Sequence, residues 1–215
     1  MKKAILLCTI IGCIVTTSAM ASSTVVLQSG PYQNGNGGEF TATLGGDPLE
    51  GMTDSVFQTF CVEYNEHLSF GTTYNVTLST VAIQGGVGGG SPDPLDARTA
   101  WLYNEFLNGT LAGYDYTGAN RNASAGQLQN AIWYLENEIT SVSCGSLAEQ
   151  FVQMAEAADW EGIHNIRVLN LYGMDSLYGQ DVLCRVNTVP VPGALLLTCL
   201  GAVPLSWLRR RQLNR

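Results

Sequence analysis

Lysine is missing from almost the whole chain: of 215 residues only Lys2 and Lys3 carry an ammonium side chain. Between Ser22 and Val189 the only cations beside the two histidines are Arg98, Arg121, Arg167 and Arg185, set against all 18 acidic residues. That segment therefore carries a net charge of −14, where the whole chain carries −8. A surface this acidic repels phosphate backbones and excludes nucleic acid as a partner. Histidine is scarce as well. His67 and His164 stand alone, with no H-E-x-x-H pair, and neither a G-x-S-x-G elbow nor a Cys-x-x-Cys pair occurs. The glycine run Gly85 to Gly90 is not followed by the Lys-Ser or Lys-Thr that a phosphate-cradling loop needs, and reads as a flexible loop. Glu63, Glu66 and His67 beside Cys61 are too thin a donor set for a metal and read as a solvated rim. Glu136 and Glu138 read as surface charges rather than an acid/base pair. No metal, no cofactor and no conventional catalysis are expected.

What is present begins at the two ends. Met1-Lys2-Lys3, an apolar run from Ala4 to Val15, and Ala19-Met20-Ala21 follow the charged, hydrophobic, A-x-A order of a signal peptide. Cleavage is expected after Ala21. At the other end, Ala194 to Leu208 carries no charge, and Arg209-Arg210-Arg211 follows at once. The stretch is near the short limit for a membrane-spanning helix, and its arginine flank places that end on the cytoplasmic side. Residues 22–189 are then expected outside the inner membrane, with 1–21 the signal peptide and 190–215 the tail.

Val189-Pro190-Val191-Pro192, the short hydrophobic helix and Arg209-Arg210-Arg211 together resemble the PEP-CTERM sorting signal. That resemblance implies an exosortase-type processing enzyme as a partner. It also implies delivery to the cell surface or the extracellular polysaccharide matrix of a Gram-negative bacterium.

The exported part, roughly 170 residues long, is large enough for one domain with its own core. Strands are expected at Thr24 to Leu27, Glu39 to Leu44, Phe57 to Tyr64, Thr73 to Leu78, Asn165 to Tyr172 and Asp181 to Val186. Helices are expected in between: one capped by Asp96 and ended near Asn108-Gly109, one capped by Ser124, and one along Leu147, Phe151, Ala155 and Ala158. Strands, a helical insertion and strands again predict an α+β domain with a β-sandwich or barrel-like sheet. Cys8 and Cys13 leave with the signal peptide and Cys199 lies in the tail, so the domain keeps Cys61, Cys144 and Cys184. An odd count in an exported domain leaves one thiol to explain. Cys61 bridging either of the others is one possibility; with Cys61 engaged elsewhere, Cys144 and Cys184 form the disulfide.

Phe60-Cys61-Val62 on a strand, Ala100 to Phe106 on the first helix and Leu128-Gln129-Asn130-Ala131-Ile132-Trp133 on the second resemble, in order and spacing, the thioester domains of bacterial surface adhesins. The resemblance spans about residues 55 to 140 and implies a side-chain thioester between Cys61 and Gln129. Such a bond lasts only away from water, which Phe60, Tyr64 and Trp133 are expected to exclude. The expected function is adhesion or matrix attachment to a polysaccharide or an amine-bearing ligand. The alternative is a structural matrix protein of the same fold with disulfides only.

Overall fold

The computed structural model describes residues 22–35, 37–173 and 179–187. The expected signal peptide, the sorting motif from Val189 to Pro192 and the tail with Arg209, Arg210 and Arg211 lie outside them. Among the described residues, no helix is long and apolar enough to cross a membrane.

Eight strands and three helices follow in the order β1 Thr24–Gln28, β2 Phe40–Gly45, β3 Val56–Thr59, β4 Thr73–Ser79, β5 Val81–Ala82, β6 Asp93–Pro94, α1 Ala97–Asn108, α2 Arg121–Leu135, α3 Leu147–Ala157, β7 Ile166–Tyr172 and β8 Val182–Arg185. Period-two burial drives the strands. Val25 and Leu27 of β1, Phe40 and Ala42 of β2, and Tyr74 and Val76 of β4 all turn to one face. Six strands form one antiparallel sheet in the order β3-β2-β1-β4-β7-β8, while β5 and β6 make a small separate ribbon.

The sheet curls until its edges meet. Val62 N–H donates to Asp181 C=O (3.0 Å), Leu183 N–H to Phe60 C=O (3.1 Å), and Cys61 faces Val182 across this seam. The edge strands thus cover each other, as a barrel-like sheet requires. Inside the curl lie Val25, Leu27, Phe40, Cys61, Leu169, Leu171, Val182 and Cys184. The opposite face of the seam, through Phe60, Val62, Ile166, Val168 and Leu183, packs on the three helices. The barrel-like alternative of the two expected architectures is therefore the one that forms, with the helices laid against its closing edge.

The helix ends obey their local chemistry. Asp96 caps α1 by accepting the Arg98 N–H, and Gly109 ends it in the left-handed conformation at φ 73°. Ser146 caps α3 through the Glu149 N–H. Ser124 was expected to cap α2, but the helix starts a turn earlier. Arg121 leads it and Ser124 is buried, its Oγ accepting from the Asp115 N–H.

The expected Cys144–Cys184 bridge does not form. Cys61, Cys144 and Cys184 are all free; Cys184 is fully buried within the curl, while Cys144 is exposed between α2 and α3. A thiol on the inner face of a sheet cannot meet a solvent-facing one without backbone movement. Cys61 and Cys184, both inside the curl, are not bridged either.

Candidate functional site

The β2–β3 register pairs Phe40 with Thr59 and Thr41 with Gln58. Continued by two residues, it would set Gly38 against Cys61. Instead the two strands part and the carboxamide of Gln129 fills the opening. Gln129 Oε1 accepts from the Cys61 N–H (3.0 Å) and from the Gly38 N–H (3.1 Å), and its Nε2 donates to the Cys61 C=O (2.9 Å). A side-chain amide here substitutes for a strand. Cys61 turns its N–H and C=O toward Gln129 because its seam pairing with Val182 leaves them free: the neighbours Phe60 and Val62 make the bonds to β8.

Two glycines make the opening passable. A Cβ on Gly37 would lie 2.2 Å from Gln129 Cγ, and one on Gly38 would lie 2.7 Å from the Thr59 carbonyl oxygen. The first clears a path for the side chain, and the second lets the backbone approach closely enough to donate.

The helix is held to the Cys61 segment at further points. Trp133 Nε1 donates to the Glu63 C=O (3.0 Å), and Glu138, just past the helix, accepts the Tyr64 N–H (2.8 Å). At the other end of α2, Arg121 forks onto Glu39 with contacts of 3.0 and 2.6 Å, and the Tyr114 hydroxyl donates to the same carboxylate (2.7 Å). Glu39 is fully buried and adjoins Gly38 in the chain. This pair sets the height of α2 against β2, and with it the reach of Gln129 to the Gly38 N–H. Asn34 is tied to Asn122 and the Arg121 guanidinium stacks 4.3 Å over the Tyr32 ring, so the loop before Gly37 is fixed to the start of the same helix.

Cys61 is fully buried and Gln129 is 1% exposed. Of the residues expected to exclude water, Trp133 is buried beside Cys61, and Tyr64 meets it edge-on at 4.9 Å while remaining half exposed. Phe60 takes another place. Alternation turns its ring away from the thiol to meet Phe106 edge-on at 5.0 Å among the helices. Above Gln129 lies an open cavity of about 240 Å³ bounded by Asn34, Gly37, Tyr64, Gln127, Asn130 and Trp133.

His67 is exposed and Glu66 half-buried, as a solvated rim requires, but Glu63, Glu136 and Glu138 are not the solvated groups expected of them. Glu63, Glu136, Glu138 and Asp181 are each at most 3% exposed. Glu138 accepts from Val87 and Gly88 N–H groups as well as Tyr64, which ties down the glycine-rich loop expected to be flexible. Glu63 Oε2 accepts the Asp181 N–H (3.1 Å), while its Oε1 has no hydrogen-bond partner. Burial, then Asp181 and Glu66, push the Glu63 pKa far up. Burial, then the charge of Glu63, raises the Cys61 thiol well above its ordinary value, so the thiol rests protonated. Among the described residues no group of His, Cys, Asp and Glu is arranged to hold a metal ion.

Burial also pushes Glu136 up to about 8. A carboxyl whose folded pKa lies above its unfolded value near 4.5 binds its proton more tightly when folded. Its stabilisation is full at low pH and is lost as pH rises through the window from 4.5 to about 8. The fold is therefore expected to melt at a lower temperature at pH 8 than at pH 5, the reverse of the usual carboxylate trend. The limiting slope is about 1.4 kcal/mol per pH unit for each such group. Thermal melts across that range check it. Glu136→Gln should flatten the profile, and an unchanged profile would assign the trend to other groups.

No family model matches this chain, and no curated protein matches it. Solved structures do. The N-terminal thioester domain of a surface protein from Clostridium perfringens aligns at 14% identity and a TM-score of 0.49, covering 75% of this chain and 97% of that one. The N-terminal domain of the Streptococcus pyogenes pilus tip adhesin Cpa aligns at 14% identity and a TM-score of 0.43, covering 81% and 97%.

Proposed function

We propose that Cys61 and Gln129 condense to an internal thioester, and that the exported domain uses it to attach covalently to a cell-surface or matrix component. One observation carries this reading: the Gln129 carboxamide is clamped on the backbone of the residue whose thiol would attack it. With Oε1 and Nε2 bonded to the N–H and C=O of Cys61, the amide carbon is held alongside the Cys61 backbone. Two backbone N–H groups already aim at the oxygen that gathers charge during attack, the arrangement of an oxyanion hole.

In the condensation the Cys61 sulfur bonds to Gln129 Cδ and the C–N bond breaks. Ammonia leaves, carrying the thiol proton. The burial of Cys61, Gln129 and Trp133 keeps water from the product. An incoming amine or hydroxyl then takes the acyl group and returns the proton to sulfur. Each molecule reacts once, so the protein is an attachment device rather than an enzyme. Export by the signal peptide, transient inner-membrane anchoring by the tail and exosortase-type processing complete the reading. They rest on the sequence motifs at the two ends.

Intact mass under denaturing conditions tests it. Freshly purified protein is expected to be about 17 Da lighter than its sequence, the mass of the ammonia lost. Methylamine should add its own mass at Gln129 and free a thiol at Cys61. Cys61→Ala and Gln129→Ala should each restore the sequence mass and take up no amine. A wild-type mass equal to the sequence, with no uptake, would discard the thioester.

A further inference from the structure

The cavity over Gln129 selects what reaches the acyl carbon, and its chemistry is unlike that of the surrounding surface. The exported part is strongly acidic, yet the cavity is bounded by no charged side chain. Of the acids near it in sequence, Glu63, Glu136 and Glu138 are buried and each accepts from a backbone N–H, Glu39 is held by Arg121 and Tyr114, and Glu66 is half-buried. None of them lines the cavity, whose wall holds no carboxylate to receive an ammonium group. A cationic amine entering here would lose water without gaining a counter-charge.

The lining suits a neutral polyol instead. Asn34, Gln127 and Asn130 contribute carboxamides, which both donate and accept as hydroxyl groups do, although the Gln127 oxygen already accepts from the Ala148 N–H. The Asn34 amide nitrogen is engaged with Asn122, while its oxygen makes no hydrogen bond among the described residues. Among the described residues Asn130 makes no side-chain hydrogen bond at all, although it is half-buried and adjoins Gln129. A polar group so placed is completed by a ligand or by water. Opposite the amides, the exposed Tyr64 ring set edge-on to Trp133 offers an apolar wall against which the C–H face of a sugar ring packs. Apolar walls with a few convergent polar groups are the make-up of a small-molecule subsite.

We propose that this cavity binds an uncharged saccharide and presents one of its hydroxyl groups as the acceptor of the Gln129 acyl group. This rests on the thioester reading above. The hydroxyl oxygen bonds to Gln129 Cδ, the Cys61 sulfur–carbon bond breaks, and the hydroxyl proton passes to sulfur, leaving a saccharide ester and a free thiol. A hydroxyl is a weak nucleophile, and binding makes it competent by holding it against the acyl carbon.

The test incubates the purified full chain with maltotriose, with glycerol as an unpositioned hydroxyl, and with methylamine, and reads intact mass and the Gln129 peptide under denaturing conditions. Maltotriose is expected to add to Gln129 at least about tenfold faster per mole than glycerol, in a linkage cleaved by hydroxylamine, with a new thiol at Cys61. Asn130→Asp, which places a carboxylate in the cavity, should lower the ratio of maltotriose to methylamine incorporation by about tenfold. Methylamine labelling without maltotriose labelling, maltotriose no faster than glycerol, or an unmoved ratio in Asn130→Asp would each overturn the saccharide assignment while leaving the thioester in place. Absence of both the mass deficit and methylamine uptake would overturn the two together.

Discussion

Gly37→Ala should abolish the 17 Da mass deficit of the fresh protein while leaving the fold in place. The added methyl group would sit 2.2 Å from Gln129 Cγ and 3.0 Å from its Cβ and Cδ, well inside contact distance. Gln129 is mid-helix and its backbone cannot yield without moving α2, so the side chain must swing out of the gap between Gly38 and Cys61. Both N–H groups on Oε1 are then lost. Removing a single donor of this kind costs about 10²- to 10³-fold in rate in acyl-transfer sites, so whatever thioester forms should appear at least about 10²-fold more slowly. Overpacking should cost about 1–3 kcal/mol of stability. Gly71→Ala is the control: its Cβ meets nothing within 4 Å, so it strains only a left-handed turn and should keep the deficit. A Gly37→Ala protein with the full deficit would mean that the clamp on Gln129 is not what makes the bond.

Glu39→Ala should produce the largest loss of stability among single substitutions near the site. Glu39 is fully buried, accepts two bonds from Arg121 and one from Tyr114, and joins the sheet to α2 and to the loop that precedes it. Removing one partner of a buried pair leaves the other uncompensated and costs about 3–5 kcal/mol. For a domain of this size that corresponds to a melting temperature lower by roughly 6–20 °C. Because Gly38 directly precedes this anchor, thioester yield should fall as well, even at temperatures where the variant stays folded. Thermal melts paired with intact mass separate the two effects. A loss below about 1 kcal/mol would show that Arg121, 20% exposed in its side chain, resolvates readily and that the pair contributes little.

Much of the architecture was legible because it is written in local periodicity. The strands from Thr24 to Val186 alternate, and the helices announce themselves through Asp96, Gly109 and the 3.6-residue apolar spacing of α2 and α3. The cysteine and glutamine of the candidate site were legible through their neighbours, Phe60 on one side and Ala131-Ile132-Trp133 on the other. What the sequence did not disclose depends on long-range burial. Glu136 and Glu138 look like surface acids in a string, and only the loop at Val87 and Gly88 and the segment at Tyr64 enclose the second of them. The ribbon of β5 and β6 is two residues wide and carries no periodic signal. Gly37 and Gly38 look like parts of a turn; their role exists only because Gln129, more than 90 residues later, enters beside them. Glu39 and Arg121 were separate charges until the fold joined them. Phe60 shows the limit of adjacency as a guide, since its neighbour's environment lies on the opposite face of the same strand.

The seam between Cys61 and β8 also governs timing. Val182 and Cys184 come more than 120 positions after Cys61, yet they form part of the wall that seals its inner side. A chain emerging N-terminus first presents Cys61 and Gln129 long before that wall exists. Until β8 docks, the sheet has an open edge and the thiol lies in contact with water, and contacts of such sequence separation are the slow ones to form. On the thioester proposal, Cys61 and Gln129 are thus disarmed throughout synthesis and become competent only when the last strand has been delivered.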